Sequence, residues 1–197
     1  MSKDKHHHGD LREALISAGI ELMEAGGPAA LSLRKCAAKA GVSHAAPAHH
    51  FNGIASLKAA IMARSYQIFA ETMQAHRQGV AEPRARLVAI CVGYLAFARQ
   101  HRALFQFMFQ PFAGDTAQIN APVLAELERR SGAAFQELAD ACAPFAPVAG
   151  QAGGTEVLVW SLVHGYAMLF TTAPEGSKPI GTPPDFAQIL PIFPLRK

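Results

Sequence analysis

The sequence contains few cysteines and no cysteine motif. Its three Cys residues, Cys36, Cys91 and Cys142, are widely spaced, and no two of them form a C-x-x-C pair. An odd number of cysteines without motif spacing argues against a disulfide framework and against a zinc site. We therefore expect reduced, mostly buried thiols in a cytoplasmic protein that holds no metal and no cofactor.

Long apolar runs and catalytic motifs are also lacking. The longest apolar run, residues 157–170, is interrupted by polar residues and by glycine. It is shorter than the roughly 20 apolar residues that a bilayer requires. The first eight residues lack the apolar core of a secretory signal. The motifs G-x-S-x-G, H-E-x-x-H, G-x-G-x-x-G and the P-loop are absent. These absences weigh against a membrane association and against an enzyme.

Charge is scarce and unevenly distributed. Only 17% of the 197 residues are charged and 50% are hydrophobic, which is typical of one or two globular domains. Residues 1–64 contain eight Lys and Arg against five Asp and Glu, whereas residues 65–197 contain ten of each. The whole net charge of +3 therefore lies in the first third of the chain. It has the sign that a phosphate-binding module needs, although an ordinary solvated face is the alternative interpretation.

The stretch from residue 32 to residue 51 predicts a helix-turn-helix. Ser32 is suited to cap a first helix, Gly41 is suited to end it, and Ser43 is suited to cap a second. The first helix has a small apolar face at helical spacing, formed by Leu33, Cys36, Ala37 and Ala40. In a helix-turn-helix the second helix enters the DNA major groove. Helix, glycine turn and helix also occur in proteins that do not touch DNA.

Two sets of residues are the candidate DNA contacts. The set expected near base edges is Ser43, His44, Ala45 and His49, because Ser and His form hydrogen bonds and Ala contacts a thymine methyl group. The set expected to contact the DNA backbone is Ser32, Arg34 and His50. The alternative is that the histidines are merely solvated. A metal site formed by these histidines would lack a nearby carboxylate or cysteine.

The remaining chain predicts an all-α protein. Helices are expected over residues 11–25, 54–76, 84–100, 103–109, 124–142 and 155–171, with at most a short helix near residues 186–190. Asp10 and Thr155 are the expected N-caps, and residues 1–9 are expected to be flexible. The predicted organisation is a DNA-binding domain at residues 1–53 with a linking helix at 54–78, followed by a helical domain at 79–197.

The second domain predicts an apolar pocket and a dimer interface. The helix over residues 157–170 is apolar around most of its circumference, so its spare face is expected to pack on a second copy of the chain. Aromatic and methionine side chains are the candidate pocket residues. They are Tyr94, Phe97, Phe105, Met108, Phe109, Trp160, His164 and Tyr166. The alternative for each of them is plain core, and His164 is alternatively a satisfied structural histidine.

Several short motifs resemble a known family. Gly9-Asp10-Leu11-Arg12, the Ala-Leu-Ser-Leu-Arg of residues 30–34, the Ala-Gly-Val-Ser of residues 40–43, and His50-Phe51 resemble the DNA-binding domain of the tetracycline-repressor (TetR) family. Trp160-x-x-x-His164-Gly165 is similar to a signature in the C-terminal domain of one subgroup. The resemblance implies an α-helical homodimer that binds double-stranded operator DNA and releases it when a small-molecule effector binds the C-terminal domain.

Two departures from the family pattern keep other functions open. Ala48 stands where relatives often have Tyr, and Ile54 stands where they often have a polar residue, both at positions typical of phosphate contact. The proline-rich C-terminal tail also differs from the usual final helix. The alternatives are a helical dimeric interaction protein whose helix-turn-helix does not bind DNA and, less favoured, a small-molecule enzyme.

Overall fold

The regular secondary structure in the described part of the chain is helical. The computed structural model describes residues 4–110, 116–147, 154–171 and 181–196, with side chains from residue 11 onward. Within these ranges the α-helices are α1 Asp4–Gly26, α2 Leu33–Lys39, α3 Ile54–Arg77, α4 Pro83–Gln100, α5 Arg102–Met108, α6 Ala121–Cys142, α7 Thr155–Tyr166 and α8 Phe186–Ile189. The only strand-like pairing among these residues is an isolated bridge between Phe145 and Leu195. The predicted all-α class is confirmed.

Two predicted helix starts are wrong. Helix α1 begins at Asp4, so residues 4–9 are helical rather than flexible and Asp10 does not cap the helix. Helix elongation is cooperative, and the chain has no proline before residue 28 to interrupt it. Thr155 is the first residue of α7 rather than its cap, and its hydroxyl donates to the carbonyl of Ala146 at 3.1 Å. The N-cap residue is Gly154.

The chain forms two compact units that are interleaved in sequence. The first unit comprises residues 1–67 and 103–131, and the second comprises residues 68–102 and 132–197. Helices α3 and α6 each contribute residues to both units. The consecutive domain limits at residues 53 and 79 therefore stay a prediction from the sequence.

The first unit is built on the apolar faces of α1 and α3. Leu15, Met23, Leu57 and Ile61 are fully buried. Each such side chain contributes about 1.5–3 kcal/mol through removal from water. Gly19 of α1 faces Ile61 so closely that a side chain at this position would collide with it. A Cβ at Gly19 would also stand 3.4 Å from the side chain of Leu31, the residue that directly precedes the helix-turn-helix segment.

The second unit is built around α4. Its residues Leu87, Ile90, Tyr94 and Phe97 are at most 2% exposed. Gly93 of the same helix lies so close to α3 that a Cβ atom would stand 2.8 Å from the Cα of Met73. Helices α3 and α4 therefore pack backbone against backbone at this point.

The proline-rich tail is an ordered part of the second unit where the structure describes it. The Arg84 guanidinium donates to the carbonyls of Leu190 at 3.0 Å and Pro191 at 2.8 Å. Phe186, Leu190 and Phe193 are buried. Helix α8 confirms the short helix predicted near residues 186–190. The tail is thus fixed by apolar burial and by bonds from a charged donor.

Candidate nucleic-acid interface and candidate effector-binding residues

Helix α2 has the predicted cap and the predicted glycine turn. Ser32 has extended backbone angles, and its Oγ accepts a hydrogen bond from the N–H of Lys35 at 3.2 Å. This is the usual N-cap arrangement, because the first N–H groups of a helix have no partner within it. Gly41 has φ +71°, a left-handed conformation that favours glycine. Helix α2 ends just before it, at Lys39.

The second helix of the motif is shorter and tighter than predicted. It is a single 3₁₀ turn at Ala46–His49, called here the recognition turn, and not an α-helix that begins at Ser43. The reason is Pro47, which has no N–H to donate to the Ser43 carbonyl. That carbonyl accepts instead from the Ala46 N–H at 3.1 Å. Ala45 is the N-cap residue and makes no side-chain cap bond, so the predicted cap at Ser43 is wrong.

The motif has a buried apolar side and an exposed polar side. Cys36, Ala37, Pro47 and Phe51 are buried. All four residues expected near base edges are exposed, namely Ser43, His44, Ala45 and His49. Of the residues expected to contact the DNA backbone, Arg34 is exposed, whereas Ser32 and His50 are half-buried. The structure therefore brings both sets to the surface of one short segment.

The first helix of the motif, α2, carries three cationic side chains. Lys39 forms an ion pair with Glu21 at 2.7 Å. Within the described part of the chain, Arg34 and Lys35 have no ion-pair partner, and both are exposed. An exposed arginine without a carboxylate partner is available to bind a phosphate group. Ala48 and Ile54, the two departures from the family pattern, are also exposed.

The predicted effector-binding residues are divided between the two units. Phe105, Met108 and Phe109 belong to the first unit. There the rings of Phe105 and Phe109 lie 4.9 Å apart, and the Tyr66 hydroxyl donates to the Met108 carbonyl at 3.3 Å. Burial raises the pKa of Tyr66. The remaining five residues, Tyr94, Phe97, Trp160, His164 and Tyr166, belong to the second unit.

Tyr94 and His164 form a direct polar contact in the second unit. The Tyr94 hydroxyl and Nδ1 of His164 share a hydrogen bond of 2.8 Å, and their rings meet edge to face. Burial lowers the pKa of His164, which favours the neutral imidazole at pH 7. Phe69, which is not among the predicted pocket residues, lies 4.8 Å from the Tyr94 ring and 5.0 Å from the Phe97 ring, measured between ring centres. The result is an aromatic cluster with one polar pair, which we call the Tyr94 cluster.

Trp160 and Tyr166 make other contacts. The Trp160 ring packs on Phe135 with 5.0 Å between ring centres. The Tyr166 hydroxyl donates to the carbonyl of Pro184 at 2.8 Å, and its ring meets Phe186 edge to face. Tyr166 therefore helps to fix the C-terminal tail.

One open groove of the second unit lies apart from these residues. It has a volume of about 550 Å³ and is lined by His76, Glu82, Arg84, Ala85, Val88, Ala89 and Val92. None of the predicted effector-binding residues lines it. In the described ranges, no three His, Cys, Asp or Glu side chains are grouped so that they would hold a metal ion. None of the helices in those ranges combines the length and the apolarity that crossing a membrane would need.

Two parts of the chain match protein families. Residues 15–61 match the family described as bacterial regulatory proteins, tetR family. Residues 87–179 match a tetracycline-repressor-like C-terminal domain. The two matches together cover most of the chain, in the order in which these domains are expected.

Solved structures share the fold. A protein of unknown function from Rhodococcus sp. RHA1 is 25% identical, with a TM-score of 0.69 over 95% of this chain and 93% of that one. A transcriptional regulator from Streptomyces coelicolor is 20% identical, with a TM-score of 0.65 over 92% of this chain and 94% of that one. A TetR family regulator from Marinobacter aquaeolei VT8 is 14% identical, with a TM-score of 0.57 over 88% and 90%. No curated protein sequence matches the chain.

Proposed function

Because the chain belongs to the tetracycline-repressor family of DNA-binding transcriptional regulators, we propose that it is a dimeric repressor that a small molecule releases from its operator. The observation that carries the proposal is the division of residues 32–51 into a buried apolar side and an exposed polar side. Because Pro47 and Phe51 are buried, the segment can place its polar side chains in a DNA groove while its apolar side chains stay in the core.

We assign the DNA contacts to two groups of residues, one for base edges and one for the DNA backbone. Ser43, His44, Ala45 and His49 lie on or beside the recognition turn and read base edges in the major groove. Ser32, Arg34 and His50 bind the DNA backbone and set the register of the protein on the duplex. Arg34 supplies a permanent positive charge to a phosphate, because an arginine stays protonated at any physiological pH.

The test is a salt titration of binding to the DNA upstream of the gene. Arg34→Ala should weaken binding to every sequence and lower the slope of log affinity against log salt by about one. His49→Ala should instead change the preference among operator variants by about 1–3 kcal/mol. Arg99→Ala, which removes an exposed arginine of α4 in the second unit, is the matched control and should behave as wild type.

The absence of salt-dependent binding to DNA would contradict this assignment. It would favour the alternative that the protein is a dimeric interaction protein whose helix-turn-helix no longer binds DNA. The exposed Ala48 and Ile54, at positions where relatives often contact phosphate, are the observations that support this second candidate.

We assign the dimer interface to α7. One side of the helix is buried through Thr155, Val159 and Val163. Another side is at least partly exposed and mostly apolar. Along α7 and its π-helical continuation Ala167–Thr171 this side carries Val157, Leu158, Leu162, Met168 and Leu169, with Ser161 as a polar residue among them. Gly165 lies on this side and has open space where a Cβ would stand, so a second helix has room to approach. A two-fold dimer pairs the same surface on both copies.

We assign effector binding to the Tyr94 cluster. Its aromatic rings favour an apolar or aromatic compound, and the Tyr94 and His164 pair offers a polar contact. Such a compound can release the operator only if it binds the DNA-free form of the dimer more tightly than the DNA-bound form. The direct test is operator release across a panel of lipophilic compounds.

A further inference from the structure

Three hydrogen bonds connect the segment before α6 with the start of α3. The N–H of Asn52 donates to Oδ1 of Asn120 at 2.9 Å. The Ser56 hydroxyl donates to the carbonyl of Gln118 at 3.2 Å and accepts from the N–H of Asn120 at 3.0 Å. These bonds join residues 62 to 68 positions apart, all within the first unit. We call this group of four residues the Asn120 latch.

The buried hydroxyl of Ser56 ties the start of α3 to residues 118–120 in particular. Its side chain is completely buried, and a buried hydroxyl is costly unless it is hydrogen-bonded. The Gln118 carbonyl and the Asn120 N–H, its two hydrogen-bond partners, both belong to residues 118–120, so the hydroxyl is matched to that segment. Ile119 and Val123 are 7% and 5% exposed, which adds apolar burial to the hydrogen bonds.

Asn120 directs its side chain away from its own helix. It immediately precedes α6, where an Asn side chain commonly accepts from the first N–H groups of the helix that follows. Its backbone carbonyl accepts from the N–H groups of Val123 and Leu124 at 2.9 and 3.0 Å. The second residue of α6 is Pro122, which has no N–H. The side-chain oxygen is used on Asn52 instead.

The recognition turn depends on what holds its ends. It is one 3₁₀ turn of four residues without a side-chain cap, which is too short to be stable by itself. The N–H groups of His50 and Phe51 both donate to the Pro47 carbonyl, at 3.0 and 2.9 Å. Phe51 is buried, and the next residue is Asn52. A fixed Asn52 therefore fixes the C-terminal end of the recognition turn.

We propose that Asn120 is a positioning residue for DNA recognition, which holds the recognition turn in the orientation that reads base edges. The proposal rests on the proposed DNA-binding function. Phosphate contacts tolerate a mobile segment better than base contacts do, because base contacts need a defined geometry. Loss of the latch therefore reduces the discrimination between operator and other DNA more than it reduces binding to DNA in general.

The experiment compares Asn120→Leu, which removes the acceptor, with Asn120→Asp, which keeps an oxygen at the same place. The control is Gln118→Ala, because only the backbone carbonyl of Gln118 takes part in the latch and its side chain is exposed. Two quantities are measured for each protein. They are the ratio of operator affinity to non-operator affinity, and the residue-resolved amide hydrogen exchange of residues 46–53.

We expect Asn120→Leu to lower the affinity ratio about tenfold, the effect of losing one well-placed hydrogen bond. Exchange should accelerate in residues 46–53 while the amides of α4 keep their protection. Asn120→Asp should restore both values. The charge that Asp adds cancels in the affinity ratio, because it affects operator and non-operator DNA alike. Gln118→Ala should match wild type.

Two results would overturn the proposal. One is an unchanged ratio and unchanged exchange in Asn120→Leu. The other is faster exchange everywhere in the chain, which marks Asn120 as merely structural. If Asn120→Leu fails to fold, Ser56→Ala replaces it, because it removes two of the three bonds. If wild type does not discriminate operator DNA at all, the proposed function fails, and the exchange of residues 46–53 alone decides whether the latch holds the turn.

Discussion

Burial couples the ionisation of His164 to folding. Burial lowers its pKa, so below the ordinary histidine value of about 6.5 the unfolded chain binds more protons than the folded chain. The contribution of neutral His164 to stability is therefore complete above pH 6.5 and is lost as the pH falls through the folded-state value. We expect His164→Gln to reduce the loss of stability between pH 7 and pH 5, measured by urea denaturation.

A matched variant separates burial from hydrogen bonding as the cause. Tyr94→Phe removes the hydroxyl that meets Nδ1 of His164 but keeps a ring over the site. Since burial is the cause of the lowered pKa, this variant should keep the pH dependence of wild type. An equal flattening of the pH profile in both variants would show that the hydrogen bond is the cause instead.

The role of a residue could be predicted from the sequence where its partner is a near neighbour in the chain, and not where its partner is distant. Ser32 was predicted as a cap, and it caps α2, because a serine before an apolar helical stretch has one favourable use. Asn120 has the same signal before α6, yet its oxygen serves Asn52. Nothing in the local sequence around Asn120 indicates a partner that lies 68 positions away.

At the scale of elements, the close approach of α3 and α4 gives a pair of opposite predictions. In Gly93→Ala the new Cβ would stand 2.8 Å from the Met73 Cα and 3.1 Å from the Thr72 carbonyl oxygen, and neither backbone atom can move aside cheaply. We expect this variant to lose about 1–3 kcal/mol of stability. Thermal or urea unfolding, followed by circular dichroism, measures the change.

Gly132→Ala is the control for the same substitution. Gly132 lies inside α6, is exposed, and has nothing within 4 Å of a new Cβ. Alanine should stabilise this helix by about 0.5–1 kcal/mol, because glycine loses more backbone entropy on folding. If both variants shift stability in the same direction, the close packing of Gly93 against α3 is not what determines the response.

The apolar side of α7 gives a prediction about assembly. Val157→Glu and Leu162→Glu each place a charge on the surface that we assign to the dimer, and burying an unpaired charge there is costly. Val157 is 49% exposed within one chain, so its replacement leaves the folded monomer intact. We expect monomers by light scattering at micromolar concentration.

Ala125→Glu is the corresponding control, because it adds the same charge at an exposed position of α6. It should leave the oligomeric state of wild type unchanged. A wild-type protein that is itself monomeric at this concentration would end the dimer assignment.

Elements were easier to predict than their ends and their exact geometry. The apolar periodicity of α3, α4 and α6 places these helices within three residues of their observed bounds. The sequence contains the reason for the 3₁₀ recognition turn, because Pro47 has no N–H. A proline is also tolerated in the first turn of an α-helix, so its presence alone does not predict the change of hydrogen-bond register at Ser43.

At the scale of the whole molecule, the effector hypothesis predicts a separable defect. Tyr94→Phe removes one hydroxyl from the Tyr94 cluster and changes nothing in residues 32–51. We expect operator affinity without compound to equal that of wild type. The concentration of a polar aromatic compound needed for release should rise about fivefold, in keeping with the loss of one hydrogen bond.

Fluorescence anisotropy of a labelled operator measures both quantities in one titration. A purely apolar compound is the internal control, because it makes no use of the hydroxyl and should release the operator equally well from both proteins. If no compound that binds the protein shifts operator affinity, the sensor assignment fails and the DNA-binding assignment stands alone.

The sequence did not indicate that residues 103–131 belong to the same compact unit as residues 1–67. The aromatic stretch around Phe105 was assigned to the same pocket as Tyr94 because both are apolar and helical. Burial patterns show which side chains avoid water, and they do not show which core a helix joins. Residues 103–131 cluster with the first unit, so Phe105 and Phe109 pack there.

The three buried thiols give the protein a built-in resistance to labelling reagents. Burial raises the pKa of Cys36 and of Cys91, and it raises the pKa of Cys142 to about 12, so thiolate is scarce at neutral pH. A single cysteine introduced at exposed Ala48 or Ala125 would therefore react with a maleimide dye while the native thiols stay unmodified. Distance measurements from a dye on the recognition turn or on α6 therefore need no cysteine-free background. Delayed reaction of Cys36, in the first unit, and of Cys91, in the second, would time the opening of each unit separately.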